Sequence, residues 1–85
     1  MPYFYILQCR DQTLYCGSTK NLFERVKKHN NGTGSKYVRA HGGGTVVYSE
    51  KIPTWGKTLS REAEVKKWPR IKKLSLIKTR VKDIL

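Results

Sequence analysis

Continuous and alternating apolar runs divide the chain into three predicted strands. Residues 3–9 (YFYILQC) form a dense aromatic and aliphatic run without glycine or proline, which predicts a buried strand. After a polar break at residues 10–12, residues 13–17 predict a second strand that closes a hairpin with the first. Residues 45–49 predict a third strand, because β-branched and aromatic side chains dominate this segment.

The register of the predicted hairpin decides which side chains share a face of the sheet. If the strands pair residues whose numbers sum to 24, Tyr5, Tyr15 and Gly17 lie on the same face. An odd pairing sum would separate the two tyrosines. In the third strand, simple alternation predicts that Val46 and Tyr48 share one face.

Helix-capping residues and a 3.6-residue period predict the first helix. Asn21 with Glu24 resembles a capping box, and the helix that follows runs to about Asn30. Arg25 flanks its apolar stripe, one turn on from the start of the stripe. The stripe consists of Leu22, Val26 and His29.

Two further helices are predicted in the last third of the chain. Residues 51–57 contain a proline and a glycine and predict a loop. A helix then follows, from residue 58 or 60 to Trp68, and a last helix begins near Arg70. The predicted apolar stripe of the last helix consists of Ile71, Leu74, Ile77, Val81 and Ile84.

The order of these elements predicts an α+β fold. With a short helical turn at residues 36–39, the order is β-β-α-(α)-β-α-α. A three-stranded antiparallel sheet flanked by helices satisfies this order. A chain of 85 residues allows one domain, which we expect to span residues 1–85.

The charge points to an anionic partner. Lys and Arg number 18 against six Asp and Glu, so the formal net charge is +12, spread over the whole chain. Nucleic acid is the commonest partner of such a surface, and an anionic membrane surface is the alternative. No apolar run approaches the ~18 residues of a membrane span, and no signal peptide is recognisable. The two cysteines suggest neither a disulfide framework nor a zinc site, so we expect a cytoplasmic protein without a membrane role.

The scarcity of acids limits where a metal could bind. Among the six, Glu62 stands three residues after Leu59 and beside Ala63, so it borders the predicted buried face of its helix. A two-metal nuclease site needs several bridging acids and is therefore disfavoured. A single carboxylate suits one Mg²⁺ ion that keeps most of its waters.

Several motifs together resemble the GIY-YIG endonuclease superfamily. They are YFYIL at residues 3–7, LYCGS at 14–18, LFERVKKHN at 22–30 and SREAEVKK at 60–67. Within the superfamily, the chain is most similar to small stand-alone members related to the amino-terminal nuclease domain of the excision-repair enzyme UvrC. Gly17 falls at the glycine of the second motif. The expected catalytic residues, carried over by position, are Tyr5, Tyr15, Arg25, His29 and Glu62.

The resemblance implies one-step hydrolysis of DNA phosphodiester bonds. Glu62 would hold one Mg²⁺ or Mn²⁺ ion, and either Tyr5 or Tyr15 would help to deprotonate the attacking water. Arg25 would stabilise charge on the phosphate, and His29 would accept a proton or orient the phosphate. Because an ordinary tyrosine has a pKa of about 10, we expect cationic neighbours to lower it or to relay the proton.

The residues also admit a binding role without catalysis. Tyr5, Tyr15 and His29 could be core residues, and Glu62 could pair with a lysine one turn on. Many superfamily members carry a late asparagine that is missing here, which favours the alternative of a non-catalytic or partner-dependent nucleic-acid-binding module. The expected contacts to nucleic acid are Lys20, Lys27, Lys28, Lys36, Tyr37, Arg39 and Lys66.

The expected partner is DNA, single-stranded or branched, with RNA as the alternative substrate. Trp55, in the predicted loop beside two lysines, is a candidate to stack on a base. Family analogy suggests a role in DNA repair or recombination, with a protein partner for targeting. We expect a monomer or a weak dimer.

Overall fold

A three-stranded antiparallel sheet with helices on both faces forms the frame of the protein. The structure, a computed structural model, describes the backbone of residues 1–84 and the side chains of residues 1–79. The strands are β1 (Tyr3–Cys9), β2 (Leu14–Thr19) and β3 (Gly44–Lys51), in the order β2-β1-β3. The α+β architecture predicted from the sequence is confirmed.

Four helices connect and cover the strands in the predicted order. They are α1 (Leu22–Asn30), α2 (Lys36–Ala40), α3 (Trp55–Lys66) and α4 (Arg70–Ile84). Asn21 caps α1, since its side chain accepts a hydrogen bond from the Glu24 N–H at 3.0 Å. None of the described helices is long and apolar enough to cross a membrane.

The hairpin keeps the predicted parity but not the predicted pairing sum. Tyr5 pairs with Gly17 and Leu7 with Tyr15, so the sum is 22. Because the sum is even, Tyr5, Tyr15 and Gly17 share a face as expected. The turn sits one residue earlier because Gln12 adopts a left-handed conformation with φ 76°.

The prediction that Val46 and Tyr48 share a face is wrong. Ile6 pairs with Tyr48 while Leu7 pairs with Val46, which leaves an extra residue in β3. This β-bulge shifts the alternation, because two residues of β3 then oppose one of β1. Val46 therefore packs on the same side as Leu7, and Tyr48 packs on the side of Ile6.

Each face of the sheet has its own core. Under α1 and α2, the buried cluster consists of Tyr5, Leu7, Cys9 and Val38. Under α3 and α4, it consists of Phe4, Ile6, Cys16 and Val65. Both cysteines are free thiols buried in strands, Cys9 in β1 and Cys16 in β2.

Two helix predictions need correction. The helix α3 begins at Trp55, not at residue 58 or 60, because Thr54 caps it by accepting a hydrogen bond from the Lys57 N–H at 3.2 Å. It ends at Lys66, short of Trp68.

In α4, Ile71 is 75 % exposed and does not join the predicted stripe. Ile77 packs on the core as predicted, and Leu76, which the predicted stripe does not include, packs there beside it. The side chains of Val81 and Ile84 lie outside the described residues.

Candidate active site

A buried tyrosine–histidine pair forms the centre of the face covered by α1. Tyr5 is 0 % and His29 1 % exposed, and 2.8 Å separates Tyr5 Oη from His29 Nε2. Gly17 makes this placement possible, since a Cβ there would overlap the Tyr5 hydroxyl and lie 2.5 Å from Cζ. The conformation of the second motif therefore depends on a residue without a side chain at position 17.

Burial keeps both members of the pair neutral near pH 7. Burial, followed by the nearby Tyr15, raises the pKa of Tyr5, and the Arg25 guanidinium acts in the opposite direction with less effect. Burial and then Arg25 lower the pKa of His29. Arg25 therefore does not bring the pKa of Tyr5 below its usual value, because desolvation outweighs it. Of the two expectations for the cationic neighbours, a lowered pKa is wrong for Tyr5, and a proton relay stays a prediction.

Tyr15 joins the pair to an aromatic stack at the surface. Its ring is edge-on to His29, with centroids 5.4 Å apart, and stacked on Tyr37 at 5.7 Å. Tyr37 in turn stacks on His41 at 4.1 Å, and His41 is bonded to Asp11. Tyr37, predicted to contact nucleic acid, thus supports the ring of Tyr15 on one side.

Glu62 reaches the same end of β2 from the opposite face of the sheet. Ser18 Oγ donates a hydrogen bond of 2.7 Å to Glu62 Oε1, while Lys66 Nζ lies 3.6 Å from Oε2. Successive side chains of a strand point to opposite faces of the sheet, so Gly17 and Ser18 lie on different faces. The two faces meet around β2, because β2 is an edge strand. Glu62 is close enough to contribute to the raised pKa of Tyr5.

The partners of Glu62 distinguish it from Glu50, the other half-buried carboxylate of similar exposure. Arg61 binds both oxygens of Glu50, with distances of 3.0 and 2.9 Å, and the Tyr48 hydroxyl donates to it at 2.5 Å. Glu50 is therefore already neutralised. Glu62 has one hydroxyl and one exposed lysine, so its carboxylate is the more available to a cation.

The residues fit a lightly coordinated divalent ion. No three His, Cys, Asp or Glu side chains gather into a possible metal site among the described residues. One carboxylate with an oxygen free of strong partners matches Mg²⁺ or Mn²⁺ that retains waters and adds phosphate oxygens. Glu62 does border the buried face of α3, but Thr58 and Val65 form that face. Leu59 and Ala63, from which the sequence predicted the buried face, are exposed.

A basic cleft of about 340 Å³ lies between α1 and the start of α3. Three cations and one carboxylate line it, together with Thr19, Asn21 and Trp55: the cations are Lys20, Arg25 and Lys28, and the carboxylate is Glu24. The predicted contacts Lys27, Lys36 and Arg39 do not line this cleft.

Two neighbours of the site were not predicted in these roles. Ser18 holds Glu62, and Trp55 begins α3 instead of lying in a loop. Only the alternation of β2 could have indicated Ser18, since it places that residue on the face opposite Gly17.

Comparison with known proteins identifies the family of the chain. Residues 1–75 match the family model described as the GIY-YIG catalytic domain. The chain therefore belongs to the GIY-YIG family, which confirms the resemblance drawn from the motifs.

Its relatives include uncharacterised proteins of similar length. A UPF0213 protein of Clostridium perfringens is 46 % identical over 80 residues, which cover 94 % of this chain and 86 % of that protein. A UPF0213 protein of Staphylococcus aureus is 44 % identical over 78 residues, covering 92 % and 95 %. The solution NMR structure of a UPF0213 protein from Bacillus halodurans is similar, with a TM-score of 0.59, 38 % identity and coverage of 93 % and 85 %.

Proposed function

We propose that this protein is a metal-dependent DNA endonuclease that hydrolyses phosphodiester bonds at the β2 edge. The observation that carries the proposal is the Glu62 carboxylate, held by Ser18 at 2.7 Å beside the tyrosine–histidine pair. Family membership supports the reaction class, and the net charge of +12 supports a nucleic-acid substrate.

Each side chain takes a role that follows from its surroundings. Arg25, which lines the basic cleft, binds the scissile phosphate and stabilises the charge that develops on it. Tyr5 is buried and its hydroxyl is occupied by His29, so it orients neighbouring groups instead of accepting a proton. Tyr15, which is only half-buried, is the better candidate to accept a proton from the attacking water.

The metal requirement rests on Glu62. Its carboxylate would hold one Mg²⁺ or Mn²⁺ ion, which when bound would neutralise charge on the phosphate. Lys66, which lies 3.6 Å from the carboxylate, is an exposed counter-charge that can turn toward the DNA backbone.

The test is cleavage of labelled single-stranded, duplex and branched DNA with Mg²⁺ or Mn²⁺. We expect the wild type to cut, and Glu62→Gln to bind DNA without cutting. Glu64→Gln, an exposed position on the same helix, is the matched control and should cut normally. If Glu62→Gln cuts as fast as the wild type, the proposed role of Glu62 is wrong.

A binding module without catalysis is the second candidate, favoured by the net charge and by the missing late asparagine. Binding by the wild type without cleavage of any DNA or RNA substrate would support it. Cleavage that begins only when a further protein is added would indicate a partner-dependent nuclease.

The cellular setting that we propose is the cytoplasm, with a role in DNA repair or recombination. A monomer or weak dimer fits a chain whose like charges repel one another. Sedimentation at several protein concentrations tests the oligomeric state.

A further inference from the structure

Trp55 is a large aromatic side chain without a place in either core. It is 38 % exposed and belongs to neither buried cluster. Trp68, the second tryptophan, packs against the core under α3 and α4, with Lys72 4.3 Å from its ring centroid. Packing therefore explains Trp68 but leaves the position of Trp55 unexplained.

The surroundings of Trp55 are those of a site for an anionic aromatic ligand. Its ring lines the basic cleft with Arg25 and Lys28, and Lys20 Nζ lies 5.5 Å from the ring centroid. A nucleotide joins a planar base to a phosphate, so aromatic and cationic groups in one cleft match both parts.

The start of α3 holds Trp55 in a defined position. Thr54 caps the helix, and Thr58 Oγ1 donates a hydrogen bond of 2.7 Å to the Thr54 carbonyl. Trp55 and Glu62 are seven residues apart, close to two helical turns, so they share a face of α3. Their separation along the axis is about 10 Å, which is one or two nucleotide steps of an extended strand.

We propose that Trp55 stacks on a nucleobase one or two nucleotides from the scissile phosphate. This inference rests on the proposed function, because the position of the base is counted from the phosphate that is cut. The stacking itself requires no cleavage. Neighbouring base pairs cover both faces of a base inside a duplex, so the base at Trp55 is unpaired. Lys20 leaves the ring on binding and contacts the adjacent phosphate.

Tryptophan fluorescence gives a direct test. Trp68→Phe leaves Trp55 as the single tryptophan, and Glu62→Gln with EDTA prevents cleavage. We expect a single-stranded oligonucleotide of about ten residues to quench the fluorescence, because stacked bases quench indole emission. A blunt duplex and an abasic oligonucleotide of equal charge should bind with little quenching.

Affinity measured by anisotropy of labelled DNA gives a second readout in the Trp68-containing protein. Trp55→Ala should weaken single-strand binding about 5- to 150-fold and leave duplex binding within about twofold, while Trp55→Phe should retain most of the affinity. Phe23→Ala is the matched control, since this exposed aromatic lies outside the cleft.

The two proposals fail in different ways. Equal quenching by the abasic and the normal oligonucleotide, or an equal loss of single-strand and duplex affinity in Trp55→Ala, would overturn the stacking site. Quenching by the single strand without cleavage by the wild type would support the stacking site and contradict the endonuclease.

Discussion

Replacing Gly17 with alanine should be among the most damaging small changes available in this chain. A Cβ at position 17 would overlap the Tyr5 hydroxyl and lie 2.5 Å from Cζ, where 3.4–4 Å is ordinary contact. The ring must therefore move by about 1 Å, a shift that a fully buried side chain can make only by distorting its neighbours.

Two costs determine how much folding free energy Gly17→Ala loses. Forcing a methyl group into a packed core costs about 1–3 kcal/mol. Loss of the 2.8 Å hydrogen bond leaves His29 Nε2 buried without a partner, which costs a further ~1–3 kcal/mol. Together they give about 2–6 kcal/mol, a large part of the ~4–13 kcal/mol expected for a domain of this size.

Urea unfolding of Gly17→Ala and Gly56→Ala measures the effect. Nothing lies within 4 Å of a Cβ at Gly56, in the first turn of α3, so that variant should match or slightly exceed the wild type. Gly17→Ala should also lower the melting temperature by roughly 10–35 °C. Equal stability of the two variants would refute the close approach of Tyr5 to Gly17.

A double variant separates the two costs. In Gly17→Ala, the hydroxyl has already lost its partner, so adding Tyr5→Phe should cost little more. It should not restore stability either, because Cζ and Cε1 remain 2.5 and 2.9 Å from the added Cβ. Full rescue by Tyr5→Phe would mean that only the hydroxyl clashes.

Further predictions concern the groups around the site. Ser18→Ala should weaken Mn²⁺ binding about 10- to 100-fold, because the Ser18 hydroxyl orients the Glu62 carboxylate. Ser18→Thr keeps a hydroxyl and should keep the affinity. Electron paramagnetic resonance of Mn²⁺ measures both variants. The lowered pKa of His29 means that the unfolded chain takes up this proton first, so stability should fall as pH drops below about 6.5. The raised pKa of Tyr5 predicts a second loss of folding stability above about pH 10, because the unfolded chain releases this proton first. Tyr5→Phe should lack this loss. Urea unfolding measured at several pH values tests the predictions for His29 and Tyr5. Glu50→Gln should cost about 1–3 kcal/mol in the same assay, since it leaves the half-buried Arg61 without its bidentate partner.

The strands were predictable because their signal is local. Residues 3–9 form a continuous apolar run, and an even pairing sum was sufficient to place the tyrosines together. The bulge in β3 was not predictable from that segment, because it arises from pairing with β1, nearly forty residues away. The start of α3 is hard to predict because proline and glycine usually mark a loop. Here Pro53 precedes the cap, and Gly56 is tolerated in an exposed first turn.

The candidate site was also only partly predictable, because local sequence patterns do not show long-range contacts. Counting the acids singled out Glu62, since the chain has only six and each could be judged by helical position. The partners of the acids could not be judged in this way. Arg61 neutralises Glu50 across the contact between α3 and β3, and Ser18 holds Glu62 from a position 44 residues earlier. These are tertiary contacts that no local pattern encodes.

The edge position of β2 explains how one short strand can serve both halves of the site. Because side chains alternate along the strand, Gly17 faces Tyr5 and Ser18 faces Glu62. Groups on opposite faces of the sheet can therefore meet around the edge of β2, and no opening through the core is needed. A further strand paired to β2 would cover this path. Among the described residues β2 has no outer neighbour, and the basic cleft opens beside its end at Thr19. The nucleic-acid backbone that we propose as the substrate would therefore reach Arg25 from one face and Glu62 from the other, and this access requires a sheet that ends at β2.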